Sequence, residues 1–127
     1  MGKGRILIID DEPDIVETLT FMLEARNYDV ITAFDGQEGL VKVKTENPDL
    51  ALLDIMMPVM DGFQTIKQIK ANKKWSDIPV FAVTAKAMKN DKDIVLKQGF
   101  SDYIPKPVNT AIVSFKIHKL ISQLKAN

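Results

Sequence analysis

A chain of 127 residues with 46% hydrophobic and 27% charged content has the size and composition of one globular domain, able to bury roughly two-thirds of the surface its unfolded form exposes. Seventeen basic residues balance seventeen acidic ones, which argues against a nucleic-acid binder, and the absence of cysteine excludes disulfides, thiolate metal sites and cysteine nucleophiles. No apolar run reaches membrane-spanning or signal-peptide length, and Ile6 stands where a myristoylation signal needs Ser or Thr, so the cytoplasm is the expected location.

The first apolar run, "RILIID", reads as a strand that ends in acid: Asp10, Asp11, Glu12 and Asp14, interrupted by Pro13. Pro13 suits the first turn of a helix, "PDIVETLTFMLEARN", whose Ile15, Leu19, Met22 and Leu23 share one face. A second strand, "DVITAF", leads to a helix, "GQEGLVKVKTEN", that stops before Pro48. A third strand, "DLALLD", closes on Asp54 and is followed by a turn with Pro58 and Gly62, then by the helix "FQTIKQIKANKK", which groups Ile66 with Ile69. The fourth strand is "IPVFAVTA" and the fourth helix "NDKDIVLKQG", with Gly99 placed as a cap. A weaker fifth strand, "SDYIPK", precedes the helix "NTAIVSFKIHKLISQLK", whose inward face is expected to be Ile112, Phe115, Ile117, Leu120, Ile121 and Leu124.

Strand and helix alternate five times, and the strands are continuously rather than alternately apolar, as befits strands covered on both faces. The prediction is an α/β fold, a doubly wound five-stranded parallel sheet with five helices, joined by right-handed crossovers. Ligands in such sheets sit beyond the carboxyl ends of the strands. Reading each strand to that end gives Asp10 and Asp11, Asp54, Thr84 and Lys106. Close carboxylates repel unless a cation offsets them, and three of them make a hard oxygen site suited to Mg²⁺. A hydroxyl and a fixed positive charge suit the oxygens of a transferred phosphoryl group, and Asp54, alone at its strand end, is the candidate nucleophile.

Taken together, "IIDDEPD", "LLDIMMPVMDG", "VTA" and "YIPKP" resemble the receiver domain of bacterial two-component response regulators, with Asp10 to Asp54 spanning 44 residues, Asp54 to Thr84 30 and Thr84 to Lys106 22. The resemblance covers the whole chain, 1–127, as one receiver domain of the chemotaxis-regulator kind, and implies the strand order 2-1-3-4-5. It implies that Asp54 accepts a phosphoryl group from a histidine kinase or histidine phosphotransfer protein. Asp11, Asp54 and the carbonyl of Met56 would ligate Mg²⁺, or Mn²⁺ in its place, with Asp10 assisting through water. Thr84, Ala85 and Lys106 would bind the phosphoryl oxygens, Tyr103 would turn inward when Thr84 moves, and Met56 and Lys86 would tune the rate of dephosphorylation. The peptide bond between Lys106 and Pro107 is typically cis in the family. Output would pass through the fourth helix, fifth strand and fifth helix to a downstream protein partner. No enzymatic role is implied beyond the chain's own phosphotransfer and slow autodephosphorylation, and no nucleic acid or membrane. With the chain stopping just after its fifth helix, the expectation is a stand-alone receiver or one cut from a longer regulator or hybrid kinase.

Glu12 and Asp14 read as solvated acids at a helix N-terminus. An EF-hand fails because Ile15 and Phe21 stand where Gly and Glu are needed. The alternative function, a Mg²⁺-dependent phosphohydrolase of the haloacid dehalogenase type, wants a second acid two residues beyond the nucleophile, where this chain has Met56. An FMN carrier would not place "DDEPD" where its phosphate binds. His118 reads as a structural or surface residue and not as a phosphorylation site, Met57, Met60 and Met88 as gap fillers, Trp75 as an anchor before the fourth strand, and the lysines of "KQIKANKK" and "KAMKNDKD" as solvated helix ends.

Overall fold

The computed structural model describes residues 4–57, 60–85 and 91–126. Its strands are β1 (Arg5–Ile9), β2 (Asp29–Ala33), β3 (Leu50–Asp54), β4 (Val80–Thr84) and β5 (Asp102–Pro105), and its helices α1 (Pro13–Ala25), α2 (Gly36–Glu46), α3 (Gly62–Ala71), α4 (Asp91–Lys97) and α5 (Thr110–Ala126). All pairs are parallel, in the order β2-β1-β3-β4-β5, as the resemblance implied.

Alternate residues of the central strands supply two cores. Ile6, Ile8, Leu50, Leu52, Phe81, Val83 and Ile104 pack beneath α1 and α5, while Leu7, Ile9, Ala51, Leu53, Val80 and Ala82 pack beneath α2, α3 and α4. Because every side chain of β3 and β4 is buried, the runs carry no polar alternation.

Local chemistry fixes the helix ends. Glu12 precedes Pro13 at the start of α1, Asp35 caps α2 by accepting the Glu38 N–H at 2.7 Å, and Asp61 and Gln64 cap α3 reciprocally. The Asn109 side chain accepts the N–H groups of Ala111 and Ile112 at 3.0 and 3.2 Å and starts α5. Gly99, at φ +108°, closes α4 where a side chain would be strained.

Three sequence expectations are corrected. The inward face of α5 is Val113, Ile117 and Ile121, with Leu120 partly covered; Ile112, Phe115 and Leu124 are exposed, Phe115 to 67%. In α1 the buried face takes Val16 with Leu19, Met22 and Leu23, and Ile15 packs only partly. Lys70 is no solvated helix end: its Nζ donates to the carbonyls of Ser76 and Ile78, both at 2.9 Å, tying α3 to the entry of β4, and burial lowers its pKa against the pull of Asp77. Lys67, Lys73 and Lys74 are exposed as expected. Trp75 packs partly against the second core just before β4, as expected.

Candidate functional site

The register brings the carboxyl ends of the strands to one level: Ile9 lies opposite Leu53, Asp54 opposite Val83, and Thr84 opposite Pro105. The next polar side chain along each strand therefore enters one crevice. Asp10 follows β1, and its main-chain N–H still bonds Ala33 at 3.0 Å, which holds it at the sheet edge. Asp54 is the last residue of β3. Behind it the chain turns back so tightly that a Cβ on Gly62 would meet Ile55 Cα at 2.6 Å and the Asp54 carbonyl oxygen at 2.7 Å. Only glycine permits that approach, which seats the N-terminus of α3 against the end of β3.

Asp10 and Asp54 are almost wholly buried, at 1% exposure each. One oxygen of each is held locally: Asp10 Oδ1 accepts the Glu12 N–H at 2.9 Å, and Asp54 Oδ1 accepts the Met56 N–H at 3.1 Å. The other oxygen of each, Asp10 Oδ2 and Asp54 Oδ2, accepts no hydrogen bond. Lys106 Nζ stands 3.5 Å from the first and 3.3 Å from the second, and 2.7 Å from Glu12 Oε1. The peptide bond between Lys106 and Pro107 is cis.

Burial, joined by the charge of Asp10 and opposed by Lys106, raises the Asp54 carboxyl to about 6. Asp10 is raised too, chiefly by burial, against the Glu12 N–H and Lys106. For Lys106, burial works downward, but the bond to Glu12 and the charges of Asp10 and Asp54 outweigh it and raise the ammonium's pKa. One carboxylate oxygen from each of Asp10, Asp11, Glu12 and Asp54 falls within a sphere of ligand atoms no more than 4.8 Å apart. Two buried oxygens that accept no hydrogen bond, beside two exposed acids, make a donor set that fits a hard divalent cation.

Thr84 is buried at the end of β4, where its carbonyl accepts the Lys106 N–H at 2.8 Å, and Ala85 is exposed just beyond it. The structure thus brings Asp10, Asp11, Asp54, Thr84, Ala85 and Lys106 to the same edge of the sheet. Met56 is 58% exposed beside Asp54. Tyr103, on β5, is half-buried, and Lys116 Nζ sits 5.3 Å from its ring centroid while donating to Asp102 Oδ1 at 3.0 Å and the Tyr103 carbonyl at 3.1 Å. Lys86, like Pro58 and Met88, lies outside the described residues. His118 is exposed on α5, as read from the sequence.

Glu12 was read as a solvated acid, and this is corrected in part: its carboxylate, though half-exposed, makes the shortest ion pair of the site. The signal lay two residues upstream. A buried Asp10 that accepts the N–H of residue 12 folds the loop back, so the next acid faces the crevice. Asp14 is exposed in the first turn of α1, as expected.

A sequence profile of the response regulator receiver domain matches residues 6–117. Among curated relatives, the alkaline phosphatase synthesis transcriptional regulatory protein PhoP of Bacillus subtilis is 41% identical over 117 residues, covering 92% of this chain. The chain spans 48% of the length of that relative. Protein PilH of Pseudomonas aeruginosa is 42% identical over 106 residues, covering 84% of this chain and 88% of the relative. Among solved structures, the receiver domain of the Francisella response regulator 1452 superposes with a TM-score of 0.88 at 29% identity, covering 95% of this chain and 98% of that one. Among the described residues, no helix is long and apolar enough to cross a membrane.

Proposed function

The chain belongs to the response regulator receiver domain family, and from that premise we propose that it is a phosphorylation-dependent switch in which Asp54 accepts a phosphoryl group from a histidine kinase or histidine phosphotransfer protein. The observation that carries this reading is Asp54 Oδ2, a buried carboxylate oxygen with no hydrogen bond, 3.3 Å from a lysine ammonium at the ligand-binding edge of a doubly wound sheet.

Asp54 Oδ1 is tethered to the Met56 N–H, which orients the carboxylate and leaves Oδ2 to attack. Oδ2 bonds phosphorus as the bond from phosphorus to the donor's imidazole nitrogen breaks, and that nitrogen recovers an electron pair. With its pKa near 6, Asp54 is mostly ionised at neutral pH yet poorly solvated, so it remains nucleophilic. The charge gained by the phosphoryl oxygens is met by Lys106, by the Thr84 hydroxyl and by the Ala85 N–H. Asp10, Asp11, Asp54 and the Met56 carbonyl are the residues that would hold Mg²⁺, or Mn²⁺ in its place. Bound there, such an ion would offset the repulsion among these acids and the incoming phosphoryl charge. Met56 and Lys86 are assigned to tuning the lifetime of the product. The phosphohydrolase alternative gains no support, since the position for its general acid is Met56.

Read-out follows from Thr84 and Lys106 drawing toward the added oxygens, and Tyr103 rotates inward against the space Thr84 leaves. The surface of α4, β5 and α5 then changes for a downstream protein, in a cytoplasmic receiver spanning 1–127. A ligand biases such an equilibrium only as far as it contacts the two states differently, and Tyr103 is the element assigned to that difference. Beryllofluoride with Mg²⁺ should therefore shift amide NMR signals across residues 100 to 112 as well as around Asp54, and Tyr103→Ala should shrink the remote shifts. Shifts confined to the neighbourhood of Asp54 would reject the switch.

A further inference from the structure

The described crevice holds one ammonium and several acids, and their distances are unequal. Lys106 Nζ makes its only hydrogen bond within the acid cluster to Glu12 Oε1, at 2.7 Å, although Glu12 is, with Asp11, one of the two exposed members of the set. Its approaches to the buried Asp10 Oδ2 and Asp54 Oδ2, at 3.5 and 3.3 Å, are longer ion pairs, and neither oxygen accepts a hydrogen bond. An ammonium drawn wholly onto those two oxygens would stand where a cation must bind. From this geometry we infer that Glu12 is a positioning residue: by taking the short bond from Lys106 it holds the ammonium beside Asp10 Oδ2 and Asp54 Oδ2 rather than hydrogen-bonded to them, and so leaves both oxygens able to take a divalent cation.

The placement of Glu12 supports this. Asp10 Oδ1 accepts the Glu12 N–H at 2.9 Å, so the backbone that carries Glu12 is fixed by the acid whose second oxygen it keeps open. Pro13 begins α1 immediately afterwards and restricts Glu12 to its extended backbone, φ −95° and ψ 108°. When Asp54 gains its phosphoryl group, Lys106 exchanges Glu12 for a phosphoryl oxygen within the same reach. The inference rests on the acid cluster being the cation site proposed above.

A double-mutant cycle separates action through Lys106 from a direct effect of the Glu12 charge on the ion. Mg²⁺ affinity is measured by calorimetry on the parent, Glu12→Gln, Lys106→Met and the double variant, with far-UV circular dichroism confirming the fold of each. Lys106→Met should tighten Mg²⁺ binding, because a competing cation is gone. Glu12→Gln should weaken it about three- to tenfold in the parent, the scale of one charge-assisted hydrogen bond partly exposed to solvent, and change it by less than about twofold in the Lys106→Met background. Equal weakening in both backgrounds would mean that Glu12 acts on the ion directly, and no weakening in either would mean that it does not hold Lys106 off. Both results overturn the inference and leave the cation site standing. A parent that binds no Mg²⁺ overturns the cation site and the inference with it.

Discussion

The two ends of the sheet treat polar groups in opposite ways. At the amino ends of the strands, Arg5 donates its N–H to Asp49 Oδ2 at 2.8 Å and its guanidinium to the Glu46 carbonyl at 2.7 Å, and Lys70 caps two carbonyls ahead of β4. At the carboxyl ends, two buried carboxylates repel each other, each with an oxygen that accepts nothing. The first end is satisfied and serves the fold. The second stores unfavourable electrostatics that a cation can relieve, and proteins keep such local conflict where function needs it.

The largest effect that would break this contrast is electrostatic. The Asp54 pKa of about 6 in the folded protein lies above its ordinary value of 3.8, so the folded state holds the proton more tightly than the unfolded chain. Stability from this group is therefore fully present below about pH 4 and lost as pH rises through 6. In EDTA, the stability of Asp54→Asn relative to the parent should climb by about 2–3 kcal/mol between pH 4 and 7.5, measured by urea unfolding. A difference that does not vary with pH would mean that Asp54 is not strained.

Next in size is Gly62→Ala. The new Cβ would press on the backbone of Ile55 and Asp54, which cannot give as a flexible side chain would. A loss of about 1–3 kcal/mol is expected, together with slower phosphorylation because Asp54 moves. Full stability with normal labelling would show that the turn relaxes freely.

The smallest expected effect lies at the opposite end. Lys70→Met keeps the aliphatic stem but leaves the carbonyls of Ser76 and Ile78 to water, at a cost of about 1 kcal/mol. The rise in thermal midpoint on adding Mg²⁺ should match that of the parent. A weakened Mg²⁺ response would mean that the two ends of the sheet are coupled.

What could be read in the sequence follows the same division. Strands buried on both faces are written as unbroken apolar runs, and a doubly wound sheet gathers their carboxyl ends, so Asp10, Asp54, Thr84 and Lys106 could be placed together from order alone. Faces of α5 could not be chosen that way. Ile112, Val113, Phe115, Ile117, Leu120, Ile121 and Leu124 surround much of the helix, and only docking against the sheet selects Val113, Ile117 and Ile121. Glu12 and Lys70 depart from the sequence expectation for a related reason. Long or flexible polar side chains are sorted by the tertiary groups within their reach, and a charge run in one dimension does not say which member turns inward.

The central claim is that Asp54 is the phosphoacceptor, and intact mass spectrometry after incubation with phosphoramidate and Mg²⁺ tests it most directly. The parent should gain one phosphoryl group and Asp54→Asn, which keeps the shape but is no nucleophile, should gain none while remaining folded. Labelling of Asp54→Asn to the same extent as the parent would contradict the account.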